Sequence, residues 1–155
     1  MTGWRIGYAA GPKEIITAIR KIQSQSTSNP SSVSQAAAVE ALNGQQDFIK
    51  ERAEAFKERR DFVVKSLNEI KGINCLKPNG AFYVFPSCKN LLNKKTKLKN
   101  DTDFVNKLLE KSMVAVVQGS AFGLDGHFRI SYATSMENLE KAMSRIKTFC
   151  ENLLN

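Results

Sequence analysis

One apolar stripe in the chain is long enough to dictate part of its architecture. Ile49, Ala53, Phe56, Arg60, Val63, Leu67 and Ile70 recur at steps of four and three residues. On an α-helix that spacing puts all seven on one face. The spacing predicts a helix from just after the Asn43-Gly44 break to Lys71, with Gly72 in the expected position beyond its end and the stripe buried over nearly the whole length. About 25 residues at about 1.5 Å rise span about 38 Å, longer than a domain of this size needs, so the helix is expected to link two domains. Arg60 in the seam argues against a free-standing coiled coil.

Other elements arrange themselves around this helix. Alternation over residues 1–11 predicts an opening strand with Trp4, Ile6 and Tyr8 on one side and Arg5, Gly7 and Ala9 on the other. Pro12 suits a first helical turn, and Ile15, Ile16, Ile19 and Ile22 give Lys13 to Gln23 an amphipathic face. Gln23 to Ser32 is polar and turn-rich, and Pro30 pushes Asn29 toward extended backbone. An alanine-rich helix follows from Val33 to Leu42. Beyond Gly72, Ile73 to Leu76 and Ala81 to Phe85 read as an antiparallel pair around the turn Lys77-Pro-Asn-Gly80.

Ser87 to Asn100 is a polar loop crowded with Lys94, Lys95, Lys97 and Lys99. Asp101 or Thr102 is expected to cap a helix with an apolar face of Phe104, Val105, Leu108 and Leu109, ending near Ser112. Val114 to Val117 has the character of a buried strand, Gln118 to Gly123 is a small-residue loop, and a further strand carries Phe128, Ile130 and Tyr132 on one face and Arg129 on the other. Thr134 and Glu137 have capping-box spacing before a last helix that buries Met136, Leu139, Met143, Ile146, Cys150 and Leu153. That helix should cover one face of a sheet of three or four short strands. The pattern is α+β, preceded by a strand and helix that belong with something larger.

At 155 residues, 42% hydrophobic and 25% charged, the chain has the composition of a globular domain. Its net charge of +8 permits anionic partners without naming one. A nucleic-acid partner finds no support in RNP-like aromatics or zinc spacing. No apolar run approaches the roughly 20 residues that span a bilayer, and the N-terminus lacks a signal pattern, so a soluble, cytoplasmic protein is expected. Cys75, Cys88 and Cys150 are widely spaced and odd in number, which fits reduced thiols. With His127 the sole histidine, neither a zinc cluster nor a histidine-based triad can be assembled. The loop Gln118-Gly-Ser-Ala-Phe-Gly123 matches neither a P-loop nor a dinucleotide fingerprint.

Two arginines remain as candidates. A guanidinium presents a planar fork that meets a carboxylate or phosphate through two bonds and stays charged at physiological pH. Arg129 on its strand has that character, as does Arg5 among small neighbours that let a large group approach, although a solvated surface arginine and plain close packing account for the same residues.

Five segments in order carry a resemblance: Met-Thr-Gly-Trp-Arg-Ile-Gly-Tyr-Ala-Ala-Gly-Pro12, Ser28-Asn-Pro followed by Gln35-Ala-Ala, Asn79-Gly-Ala-Phe-Tyr-Val-Phe-Pro86, Gly119-Ser-Ala-Phe-Gly123 and Phe128-Arg-Ile-Ser-Tyr-Ala133. Together they resemble the second half of the class I/II pyridoxal-phosphate-dependent aminotransferases, most closely the bacterial aspartate aminotransferase branch. The resemblance implies the small C-terminal domain of a fold type I transferase plus the last strand, helix and linking long helix of the large domain. In those terms residues 1–32 belong to the cofactor-binding domain, 33–71 are linking helices and 72–155 form the small domain.

By the same resemblance, Arg5 matches the arginine that holds the cofactor's phosphate, and Arg129 the one that clamps the substrate's α-carboxylate. Ser28 and Asn29 match a loop near the dimer interface, and Gly80 and Phe122 fall in segments that close over substrate. Gln118 stands where the family usually has proline, which leaves that backbone less fixed. The implied activity moves an amino group between an aspartate-like amino acid and a 2-oxo acid such as 2-oxoglutarate, in a homodimer.

The family's Schiff-base lysine lies before the segment matching Met1, so no lysine here takes its place, and no catalytic residue is assigned. The resemblance therefore implies a C-terminal piece, inactive alone. A non-catalytic remnant that dimerises or pairs with an N-terminal half is the alternative, expected to expose apolar surface around Trp4, Ile6 and the long helix.

Overall fold

The computed structural model describes residues 1–154, in two units, Met1–Ile49 and Lys50–Asn155. In the first unit the expected opening strand does not form. Thr2–Trp4 is a short 3-10 helix closed by the Trp4 N–H on the Met1 carbonyl at 3.1 Å, and Arg5 ends it in the left-handed region, at φ 48° and ψ 49°. A strand needs a neighbour for its N–H and C=O groups, and among the described residues none pairs with 5–12.

Helix α1 (Lys13–Ser26) buries none of its residues, and Ile15, Ile19 and Ile22 remain 56%, 45% and 70% exposed. It runs beyond the expected end at Gln23 to Ser26, and Ser24 and Ser26 turn their hydroxyls back onto the carbonyls of Lys21 and Ile22, at 2.8 and 3.2 Å. Helix α2 (Ser32–Asn43) stops at Gly44, whose N–H reaches the Glu40 carbonyl at 2.8 Å. Buried Ser34 donates to the Trp4 carbonyl.

Helix α3 (Phe48–Asn68) is the long helix, at 21 residues shorter than expected. Its stripe is buried only over the second half. Val63 and Leu67 are fully covered, whereas Ile49 is half exposed and Ala53 exposed. Tight turns from Leu67 to Ile70 and from Ile70 to Ile73 end the helix, and Gly72 at φ 93° completes the exit.

Arg60 is tolerated in the seam because it is paired. Its guanidinium meets Asp61 Oδ1 at 2.8 Å and the Pro78 carbonyl at 3.3 Å, and Lys77 reaches the same Asp61 oxygen at 2.9 Å. Hydrogen bonds from Arg60 and then Lys77 hold the Asp61 carboxyl down at about 2, against the usual 3.8. A depressed carboxyl stabilises the fold fully above its unfolded value, and that contribution is lost as pH falls through the folded one. The difference in melting temperature between wild type and Asp61→Asn is therefore expected to be full above pH 4 or so, and to be lost as the pH falls through about 2. Because the pair is solvent-facing, added salt should shrink it.

The expected hairpin is reduced. Ile73 to Leu76 forms no strand and contributes a single antiparallel bridge, Asn74 to Ser87. Strand β1 (Tyr83–Val84) pairs instead with the later strand β3 (Phe128–Ser131), which also pairs with β2 (Val117–Gln118). The sheet order is β1-β3-β2, all antiparallel. Val114 is buried but lies before β2, which starts later than the expected strand. In the lysine-rich loop, Lys95, Lys97 and Lys99 are exposed while Thr96 and Leu98 alternate inward, so the segment is anchored as well as solvated. Thr96 Oγ1 donates to the buried Leu91 carbonyl at 2.6 Å.

Helix α4 (Asp101–Ser112) is capped by Asn100, not by Asp101 or Thr102. Asn100 Oδ1 accepts the Asp103 N–H at 2.9 Å, and Asp103 Oδ2 accepts the Lys99 N–H. Leu109, expected on the apolar face, is 45% exposed. Helix α5 (Met136–Leu154) is capped by Ser135, whose hydroxyl accepts the Asn138 N–H, and the expected box is not made because Glu137 pairs with Lys141. Leu139, Met143, Ile146 and Cys150 of α5 are buried as expected, with Phe149 added, while Met136 and Leu153 are only partly buried against the core. Phe104 joins α4 to the sheet at Phe128 and to α5 at Phe149, with ring centroids 5.0 and 5.6 Å away.

The three cysteines are free and buried in this core. Burial pushes the Cys75 thiol up to about 11, and Cys88 and Cys150 to about 12, with the Asp101 charge adding to the effect at Cys88. Thiolate is the reactive form. An aromatic disulfide reagent near neutral pH is thus expected to react slowly with the native protein and with all three thiols in denaturant, read as absorbance against time.

Candidate functional site

Arg129 occupies the central strand. Burial over Phe128–Ser131 alternates as the sequence pattern requires: Phe128 and Ile130 face the core, and Arg129 is half-buried on the opposite face. Opposite that strand, Tyr83 stands across from Ser131, which makes it a diagonal neighbour of Arg129 on the same face. Its ring centroid lies 4.3 Å from Arg129 Cζ. From the other side, Phe122 brings its ring centroid to 4.4 Å from the same atom. The guanidinium is held between two rings.

Both contacts are attractive through the ring quadrupoles, and the guanidinium keeps its N–H donors. Among the described residues no ion pair or hydrogen bond takes those donors. A cation positioned this firmly, with its fork unused, is suited to a planar anion.

Phe122 arrives from a 3-10 turn, Gly119–Phe122, that follows β2. Gly119 is required there: a Cβ would meet the Leu124 carbonyl oxygen at 2.4 Å and the His127 carbonyl oxygen at 2.8 Å. Its N–H bonds the His127 carbonyl at 2.7 Å. The cluster continues through Phe85, edge-on to Phe122 at 6.0 Å and stacked on His127 at 5.6 Å.

Of the residues named from sequence, Phe122 and Arg129 are brought together. Gly80 lies in the exposed turn before β1, on the rim of a hollow shared with Phe56, Arg60 and Tyr132. Arg5, Ser28 and Asn29 belong to the first unit. Arg5 is exposed, no hydrogen bond or ion pair of its side chain is formed among the described residues, and a Cβ at Gly3 or Gly7 meets nothing within 4 Å. An exposed guanidinium of this kind has the donor chemistry for an anion. Ser28 ends the α1 turn at φ 64°. Tyr83 was missed, although pairing the run Ala81–Phe85 with the arginine strand would have placed it.

The aminotransferase class I and II model matches residues 1–146, and the chain belongs to that family. It is 58% identical to the aspartate aminotransferase of Rhizobium meliloti (strain 1021) over 99% of this chain and 38% of that protein. It is 55% identical to a probable aspartate/prephenate aminotransferase of Rickettsia prowazekii, over 99% of this chain and 39% of that one. Among solved structures, the Rhizobium meliloti aspartate aminotransferase superposes with a TM-score of 0.84 at 58% identity, covering 97% of this chain and 39% of that one. The alanine aminotransferase of Pyrococcus furiosus gives 0.82 at 38% identity, with the same coverage. The chain thus spans about two fifths of the length of its relatives, their C-terminal portion, and its α+β fold is part of a fold type I transferase.

Proposed function

We propose that the chain supplies the substrate-carboxylate clamp and one phosphate contact of a pyridoxal-phosphate-dependent aminotransferase. The single observation behind this reading is Arg129, fixed between Tyr83 and Phe122 with its donors unused. Bound bidentately, the α-carboxylate of an amino acid would sit in the guanidinium plane, and the substrate could no longer rotate about that contact. The two ring contacts hold the guanidinium in place for that pairing. Arg5 would hold the cofactor's phosphate. The cofactor supplies an electron sink for the bonds at the substrate's α-carbon.

The relatives' names favour an aspartate-like donor, with a 2-oxo acid such as 2-oxoglutarate as acceptor. In this reading residues 1–32 belong with the cofactor-binding domain, 33–71 link, and 72–155 form the small domain. Ser28 and Asn29 lie toward a second protomer, and Gly80 and Phe122 toward the substrate. The remaining machinery comes from polypeptide outside these 155 residues, and the chain alone does not transaminate. A second reading, an interaction remnant without catalysis, is favoured by the uncovered Ile15, Ile19 and Ile22 of α1.

The test is a titration of the chain, labelled with 15N-arginine, with L-aspartate. The Arg129 side-chain N–H signal, assigned by its loss in Arg129→Lys, is expected to shift saturably. No shift at any concentration contradicts the clamp.

A further inference from the structure

The geometry points to Asp101 as a positioning residue for the carboxylate clamp, acting through the backbone of Ser120 to hold the Phe122 ring against Arg129. The inference rests on the reading of Arg129 given above and assigns a role to a group that touches neither substrate nor cofactor. Asp101 is 2% exposed, yet no ion pair to it is formed among the described residues. A buried carboxylate without a cation is costly unless its oxygens are taken up by good donors. Asp101 Oδ2 accepts the Ser120 N–H at 2.7 Å, a short charge-assisted bond, and the residue's place as the first of α4 puts its charge at the favourable end of that helix.

This bond joins two elements. Gly119 is tied to the residue preceding β3 through the His127 carbonyl, and the next amide, that of Ser120, is tied to α4. Two successive N–H groups anchored on different elements fix the orientation of the turn, and Phe122 stands two residues further on. The ring itself is 49% exposed and packs edge-on against Phe85 on one side. Its place 4.4 Å from Arg129 Cζ therefore depends on the backbone that carries it as well as on that contact. Without the Asp101 bond the turn keeps its contact at Gly119 and its internal bonds from Gly123 and Leu124, so it remains a turn but pivots. Phe122 then leaves the guanidinium, one ring contact of Arg129 is lost, and carboxylate binding weakens.

The experiment uses the full chain with 15N-arginine. In wild type, protons of the Arg129 guanidinium lie near two ring faces and carry an upfield ring-current displacement. Asp101→Ala is expected to move the Arg129 signal downfield and to weaken L-aspartate binding about tenfold. Asp101→Asn keeps an oxygen for the Ser120 N–H and should restore most of both. Ser120→Pro removes the donor while Asp101 stays, and should reproduce the Arg129 displacement even if Asp101→Ala does not fold. A folded Asp101→Ala or Ser120→Pro chain with the wild-type Arg129 signal overturns the role of Asp101. A wild-type chain indifferent to L-aspartate, but whose Arg129 signal still moves in Asp101→Ala, overturns the clamp and leaves the positioning of Phe122 intact.

Discussion

Replacing Phe104 by alanine is expected to lower the stability of the unit Lys50–Asn155 by about 3–5 kcal/mol. The ring is fully buried and touches Phe128 of the sheet and Phe149 of α5. Truncation removes its transfer energy and leaves a cavity that two neighbours fixed in different elements cannot close. Against a typical domain stability of about 5–15 kcal/mol the loss is large, and the urea midpoint should fall accordingly. Phe104→Leu, which keeps much of the volume, should cost visibly less. Phe122→Ala should barely move the midpoint, since that ring is half exposed.

Arg129→Ala should have the opposite profile, a small change in stability and a large one in binding. Hydrogen bonds to a charged group are worth roughly 1.5–3 kcal/mol each, so loss of a bidentate pair is expected to cost about 3 kcal/mol or more. That corresponds to a decrease on the order of 100-fold in carboxylate affinity. A carboxylate clamp of the kind proposed would hold substrate and transition state alike, so in an active assembly the loss should fall mainly on KM for the amino acid. Arg129→Lys keeps the charge but not the fork or the flat faces between the rings. It is expected to recover only part of the binding.

The α5 stripe and the alternation around Arg129 were legible because each is a local periodicity that the core then uses directly. The strand predicted over residues 1–11 failed for a different reason. Alternation marks which side chains could share a face, but a strand exists only where a neighbour accepts its backbone, and none pairs with that segment among the described residues. The same limit reduced Ile73–Leu76 to one bridge and gave β1 a partner far away in sequence.

Capping was misread at two helices because the expected residues had better uses. Asp101 is spent on the Ser120 amide, leaving the cap to Asn100, and Glu137 meets Lys141, leaving Ser135 to cap α5. For the site, residue resemblance put Arg129 and Phe122 on the same list, while Tyr83 and Asp101 came only with the pairing of β1 to β3 and the folding of the turn over α4. Arg60 in the apolar seam was rightly a warning. Its explanation, pairing with Asp61 and the Pro78 carbonyl, depends on a turn some eighteen residues downstream.

The measurement that bears most directly on the whole account joins this chain in frame behind the N-terminal portion of the Rhizobium meliloti aspartate aminotransferase that it does not cover, and assays L-aspartate with 2-oxoglutarate. Transamination by the joined protein is expected, with a rise in KM for L-aspartate on the order of 100-fold in its Arg129→Ala variant. A folded joined protein that binds pyridoxal phosphate but does not transaminate, or one whose KM is untouched by Arg129→Ala, would contradict it.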